Sequence, residues 1–209
     1  MSKIDLSRAI LALKRGDVVV YPTDTLYALG ADIYNEDVVR RIFKIKNRPL
    51  DIPLSVAVAS FDSIESIAFV NDIARRLAEQ FLPGSLTLVL NKKSTISSII
   101  TGGFDKVAVR IPDNKVALEL LSKFGPLTAT SANVHDMETP RDIEGIKKQF
   151  KCGDVAVYLD CGKLNALPST IVDVTTKTPK IIREGIITKK SILDETLVIC
   201  RQWFLPMIQ

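Results

Sequence analysis

An α/β fold of the α+β type, a twisted sheet of mixed parallel and antiparallel strands flanked by helices, is what this chain predicts. Three observations carry that expectation. Apolar runs of strand length alternate only loosely with helical patterns. Several of those runs follow one another with no helix between them, which a doubly wound parallel sheet does not allow. The 209 residues, 46% hydrophobic and 25% charged, suit one globular body able to bury a sizeable core.

The elements read off in order. A helix runs from Leu6 to Arg15 and stops at Gly16, and a continuous apolar strand spans Val18 to Tyr21. The turn Pro22-Thr23-Asp24-Thr25 follows. Glu36 to Lys46 has helical period, with Val39, Ile42 and Phe43 on one face and cations collected at its end. Leu54 to Ala59 reads as a strand, Ser63 to Val70 and Asp72 to Phe81 as helices, and Leu86 to Leu90 and Val107 to Ile111 as strands. Lys115 to Phe124 is amphipathic and closed by Gly125-Pro126. A short strand at Leu127 to Ala129, a helix at Ile143 to Phe150, and strands at Val155 to Leu159, Thr170 to Val174 and Lys180 to Arg183 complete the body. Residues 187–209, with Trp203 in an apolar cluster, read as a tail that docks on the body or extends from it.

Several function classes are disfavoured early. No apolar run approaches the roughly 20 residues that span a bilayer, and the charged, helical start is unlike a signal peptide, so a cytoplasmic, non-membrane protein is expected. Cys152, Cys161 and Cys200 are odd in number and widely spaced, which argues against a disulfide framework. With His135 as the single histidine, neither a structural zinc site nor a Ser-His-Asp hydrolase is favoured. A net charge of +4 welcomes anionic substrates without marking a dedicated nucleic-acid platform.

The residues that remain sit at strand and helix ends. Pro22 to Thr25 brings hydroxyls and a carboxylate to a sheet edge, although Asp24 and Thr25 also serve as ordinary N-caps for a stretch from Leu26. Lys46 and Arg48 flank one residue at a helix exit, where two cations converge on phosphate oxygens or simply complement the helix dipole. Pro83-Gly84 with Thr87 reads most simply as a helix-to-strand turn. Arg110 ends an apolar strand and is placed to grip a carboxylate or phosphate, or to form a surface salt bridge. Ser131-Ala132-Asn133, Ser169-Thr170 and Arg183-Glu184-Gly185 add hydroxyls, an amide and a cation at further strand ends. Lysine, arginine, serine, threonine and asparagine with little general base suit transfer of a phosphoryl or nucleotidyl group.

These groups occur together in a familiar order. YPTDTLYALGAD from Tyr21, RIFKIKNRPLDIPL from Arg41, LPGSLTLVL from Leu82, VAVRIPDN from Val107, TATSAN from Thr128, STIVD from Ser169 and IIREG from Ile181 resemble the YrdC-like (TsaC) family of threonylcarbamoyl-AMP synthases. The resemblance implies a large, open, positively lined cavity within the mixed sheet, and a nucleotidyltransferase. In such enzymes L-threonine and bicarbonate give a carbamate whose carboxylate attacks the α-phosphate of ATP; pyrophosphate leaves and Mg2+ assists. Partner proteins then pass the threonylcarbamoyl group to adenosine in tRNA, a role compatible with direct tRNA contact. Carried over, Thr25, Arg110 and Ser169 contact threonine, and Lys46, Arg48, Ser131, Thr139 and Arg183 contact ATP. Lys46, Arg48, Ser131 and Asn133 form the family's catalytic set.

The chain departs from the family at Ile52 (usually Lys), Ala57 (usually His), Ala28 (usually Gly), and Ser85 and Thr130 (usually Pro). The expected cost is one phosphate contact at Ile52 and one threonine-side contact at Ala57. The catalytic domain is expected over residues 1–186, without the further C-terminal domain of longer relatives. Two other readings stay open here: a non-catalytic tRNA or double-stranded-RNA-binding module of this fold, and a paralogue with another small substrate.

Overall fold

The computed structural model describes residues 3–204. Two sheets, rather than one, organise them. The first joins β1 (Val19–Tyr21), β2 (Ala28–Gly30), β8 (Thr130–Ser131) and β9 (Val157–Tyr158) in the order β8-β2-β1-β9. In the second, β11 (Lys180–Arg183), β10 (Thr170–Asp173), β5 (Leu86–Lys92), β6 (Lys106–Arg110), β3 (Ser55–Ala57) and β7 (Leu127–Thr128) lie side by side in that order. The two-residue β4 (Ala68–Phe69) pairs with the far end of β5. Both sheets are mixed: β10 and β5 run parallel, as do β3 and β6, while β5 and β6 run antiparallel.

Thr128 stitches the sheets together. Its Oγ1 donates to Leu29 O at 2.8 Å and accepts from Ala31 N at 3.0 Å, and its carbonyl accepts from the Tyr21 hydroxyl at 3.0 Å. Gly30 makes room for that tyrosine, since a Cβ there would stand 2.8 Å from the Tyr21 ring. A break at Ala129 then sends the chain from β7 in one sheet to β8 in the other. The strand expected at Leu127 to Ala129 thus ends at Thr128, and a second, unexpected one follows at Thr130–Ser131.

Helices cover both sheets. α2 (Glu36–Lys46), α4 (Asp72–Phe81) and α6 (Lys115–Phe124) coincide with the predicted spans, each opened by an asparagine cap (Asn35, Asn71, Asn114). α1 (Lys3–Lys14) and α6 enclose a smaller core of Leu6, Leu13, Tyr21 and Leu120, while the larger core lies between the second sheet and α2, α3 (Phe61–Ile67) and α4. α5 (Ser98–Thr101) and α7 (Ile143–Gln149) are short. α3 ends three residues before the predicted Val70, because Ala68 turns extended and pairs with Lys92. The stretch from Leu26, for which Asp24 and Thr25 read equally as N-caps, instead forms a strand at Ala28 to Gly30: partners on both sides, β1 and β8, outweigh the local capping signal.

α8 (Lys189–Phe204) follows the last strand. Ile192 is fully buried in the larger core, and Glu195 pairs with Arg76 of α4 at 3.1 Å. Side chains beyond Thr196, including the apolar cluster expected around Trp203, lie outside the described residues, as do residues 205–209.

Candidate functional site

Strand ends from both sheets meet at one cavity of about 280 Å³. Of the nine residues singled out from sequence, Thr25, Arg48, Arg110, Ser131, Thr139, Ser169 and Arg183 line it. Lys46 and Asn133 do not; they sit behind the wall. The lining includes no carboxylate among the described residues.

Arg110 closes β6 at one side. Its Nη1 donates to Thr25 Oγ1 at 2.9 Å, and its Nη2 to Asp24 Oδ1 at 2.6 Å and to Gly84 O at 3.3 Å. Asp24 also accepts from Ser85 Oγ at 2.7 Å and from Asp113 N at 3.2 Å. The Arg110 and Asp24 side chains are 7% and 12% exposed, so this is a buried pair and not the surface salt bridge that sequence left open. Burial pulls the guanidinium down from its ordinary range, and Asp24 opposes that pull. Arg110 Nε is buried with no hydrogen-bond partner. Thr23, in the same turn, accepts from Thr25 N and Leu26 N, which fixes the loop that crosses from β1 to β2.

Ser169 and Arg183 face Arg110 from β10 and β11. Ser169 Oγ lies 2.8 Å from Thr87 Oγ1, and Ser169 O accepts from Arg183 Nε and Nη2 at 3.2 and 2.9 Å. A β-bulge directs Arg183 inward. Val172 pairs with Ile181 but Ile171 pairs with Arg183, so Ile182 is the extra residue. Without it, Arg183 would share the core face with Ile181; with it, Arg183 joins Ile171 on the cavity wall. Gly185 permits the close approach that follows, since a Cβ there would lie 2.1 Å from Pro168 O. Burial, then repulsion from Arg110, lowers the Arg183 pKa.

The third side comes from the exit of α2. Asn47 is left-handed (φ 51°), with Asn47 N donating to Lys44 O and Arg48 N to Phe43 O, a Schellman closure. The reversal turns Lys46 inward and Arg48 to the cavity. Arg48 is held by carbonyls, Ile52 O at 3.2 Å and Pro53 O at 2.9 Å, with His135 Nδ1 at 3.5 Å from Nη1. Burial lowers its pKa, and Asp136 partly restores it. Lys46, 1% exposed, donates to Ser131 O and Asn133 O, both at 2.6 Å, and to Asn133 Oδ1 at 3.3 Å. Burial first, and the Arg48 charge second, bring its ammonium down to about 7.

Two departures from the resembled family pattern have a different setting from the one expected. Ala57 is fully buried in the smaller core, away from the cavity lining, and Ile52 serves Arg48 through its carbonyl. Sequence reasoning missed Tyr27 and passed over Thr87, which both line the cavity. Thr87 carried a signal: a hydroxyl between Leu86 and Leu88 in an apolar strand lies on the opposite face from both. Tyr27 hydroxyl donates to Gly162 O at 2.7 Å and accepts from Cys161 N at 2.9 Å, tying the loop after β9 to the site; burial leads in raising it to about 12. No local pattern announces that contact across 135 positions.

Strand termini that converge three guanidinium groups and several hydroxyls on one open cavity define a small-molecule site for anionic ligands. The chain belongs to the Sua5/YciO/YrdC family, whose model, described as telomere recombination, matches residues 11–185. A threonylcarbamoyl-AMP synthase from Pyrococcus abyssi is 38% identical over 176 residues, 83% of this chain. This chain spans only 52% of that relative's length. The crystal structure of Pyrococcus abyssi Sua5 complexed with L-threonine superposes with a TM-score of 0.89 at 35% identity, covering 93% of this chain and 58% of that one. Escherichia coli YciO gives a TM-score of 0.82 at 29% identity, covering 90% and 92%.

Proposed function

We propose that this chain is a threonylcarbamoyl-AMP synthase, a nucleotidyltransferase that converts L-threonine, bicarbonate and ATP into threonylcarbamoyl-adenylate and pyrophosphate, the donor for N6-threonylcarbamoyladenosine in tRNA. One observation carries the reading: Arg48, Arg110 and Arg183 line a single cavity with no lining carboxylate among the described residues, and of the three Arg110 is the one in a close ion pair there, with Asp24 behind it. A wall of that charge favours a polyanion. Similarity to the Pyrococcus abyssi threonylcarbamoyl-AMP synthase and to the L-threonine complex of Pyrococcus abyssi Sua5 supports this choice of substrates.

The residues divide the work on this reading. Arg110, Thr25 and Ser169 line the same cavity, and a guanidinium with two hydroxyls suits an amino-acid carboxylate and hydroxyl. Arg48, Ser131, Thr139 and Arg183 take the nucleotide. Threonine's amine and bicarbonate form the carbamate with loss of one water; a carbamate oxygen then bonds to the α-phosphorus as the bond to the pyrophosphate oxygen breaks. Fixed guanidinium charges offset the charge that builds on the phosphoryl oxygens, and no protein base is required of the wall once the carbamate exists.

The lining offers no carboxylate, and no group of three acidic, histidine or cysteine residues fit for a metal occurs among the described residues. The wall therefore does not fit a protein-held Mg2+; magnesium enters only as part of the MgATP substrate. Handing the product to tRNA-modifying partners, in the cytoplasm, completes the proposal. No helix among the described residues is long and apolar enough to cross a membrane.

The experiment is pyrophosphate release from ATP with threonine and bicarbonate supplied together and singly. Release that needs both supports the reading. Release indifferent to threonine, from folded protein, overturns it and favours a paralogue with another substrate.

A further inference from the structure

Two of the four residues in the resembled catalytic set stand behind the cavity wall, and their hydrogen bonding is complete without a ligand. An ammonium has three N–H donors and no acceptor. Lys46 Nζ has three oxygens within reach, Ser131 O, Asn133 O and Asn133 Oδ1, all on the segment that supplies Ser131 to the wall. Asn133 is equally committed. Its Oδ1 accepts from Ser131 Oγ at 2.5 Å as well as from Lys46, and its Nδ2 donates to Val134 O at 2.7 Å and Met137 O at 2.8 Å. His135 N then donates to Lys46 O at 2.6 Å, so the segment is bonded to both ends of the same lysine.

A buried ammonium is a poor way to gain stability, because its desolvation offsets most of what its bonds return. A methionine-sized apolar side chain would fill the space with less cost but could not bind three oxygens. What the lysine adds is geometry. Its three donors define the path of residues 131–133 relative to α2, and α2 in turn carries Arg48. Ser131 and Arg48, which do line the cavity, are thereby fixed to each other.

We infer that Lys46 is a positioning residue, not a ligand contact: with Asn133 it clamps the 131–133 segment to the end of α2, so that Ser131 and Arg48 face the cavity at a set spacing. Its effect on turnover rests on the proposed function, whereas its effect on the segment does not.

The test compares wild type, Lys46→Met, Lys46→Arg and Arg48→Ala. Amide hydrogen exchange at residues 131–135 is expected to speed up at least tenfold in both Lys46 variants, with Val20 in β1 unchanged. ATP affinity should weaken about tenfold in Lys46→Met while keeping the wild-type dependence on ionic strength; Arg48→Ala should weaken binding and flatten that dependence. Unchanged exchange at 131–135 with a flattened ionic-strength dependence in Lys46→Met would make Lys46 a phosphate contact and overturn the inference. If the Lys46 variants do not fold, the nitrogen-15 resonance of the wild-type ammonium decides: a shift that barely moves on ATP saturation supports the clamp, and a large displacement refutes it. Wild type that binds no ATP defeats the functional proposal, while exchange or ammonium protection still judges the clamp.

Discussion

Replacing Asp24 by Ala removes the carboxylate that pairs with Arg110. The pair is 2.6 Å apart with side chains 7% and 12% exposed, so solvent screens it little. Unit charges about 4 Å apart at an effective dielectric near 20 attract by about 4 kcal/mol. Removing one partner of a buried pair costs about 3–5 kcal/mol, since the remaining charge stays uncompensated. Ser85 Oγ and Asp113 N lose their acceptor in the same step, while the open cavity lets water replace part of what is lost. We expect a net loss of about 3 kcal/mol, which for a chain of this size lowers Tm by roughly 6–12 °C. Asp24→Asn keeps an oxygen acceptor and should lose about half as much. Calorimetry on the two variants, on Arg110→Met and on the Asp24→Ala/Arg110→Met double variant measures this. A coupling energy above about 2 kcal/mol is expected for groups in contact. A loss under about 1 kcal/mol in Asp24→Ala, or additive single effects, would refute the claim that Asp24 holds Arg110.

Other outcomes follow from the same geometry. Arg183→Ala should weaken ATP binding at least tenfold by calorimetric titration yet shift stability by no more than about 1 kcal/mol, because Arg183 has carbonyl and hydroxyl acceptors and no carboxylate in the described structure. Gly185→Ala places a methyl against Pro168 O and the Ser169 backbone, so a destabilisation of about 1–3 kcal/mol and a higher KM for threonine are expected from thermal melts and kinetics. Lys46 gives a pH signature. Its folded value near 7 lies below the unfolded value of about 10.4, so between those limits the unfolded chain binds the extra proton and stability rises with pH. Urea unfolding at pH 7.5 and 9.5 should show wild type gaining about 2 kcal/mol relative to Lys46→Met; an equal pH dependence in the two would contradict the lowered Lys46 pKa.

Local signals sufficed wherever a segment's own residues set its structure. α2, α4 and α6 each have an asparagine cap and a helical apolar face, and β11 lies between turn residues, so their limits were legible to the residue. β2 and β8 were not, because strands of two or three residues exist only through their partners, and the β2–β8 pairing joins positions about 100 apart. The seven residues that line the cavity were legible through their ordered resemblance to a family, and each alone had an ordinary structural explanation. Which residues stand in the wall and which behind it was not legible. The Asn47 reversal separates Lys46 from Arg48, and the Ile182 bulge turns Arg183 inward; Asn47 before Pro49 marks where the helix ends but not which cation faces the cavity, and the bulge has no pattern in the neighbouring sequence. Tyr27 escaped notice for the same reason as β2, its partners lying far along the chain.

The central claim is that one wall of guanidinium groups joins a threonine-derived carbamate to the α-phosphate of ATP. Mass spectrometry of the reaction with carbon-13-labelled bicarbonate, L-threonine and ATP tests it most directly. The account predicts a threonylcarbamoyl-adenylate carrying the label, lost in Arg48→Ala. An adenylate lacking the label, or none at all from folded protein under conditions where ATP binds, would contradict it.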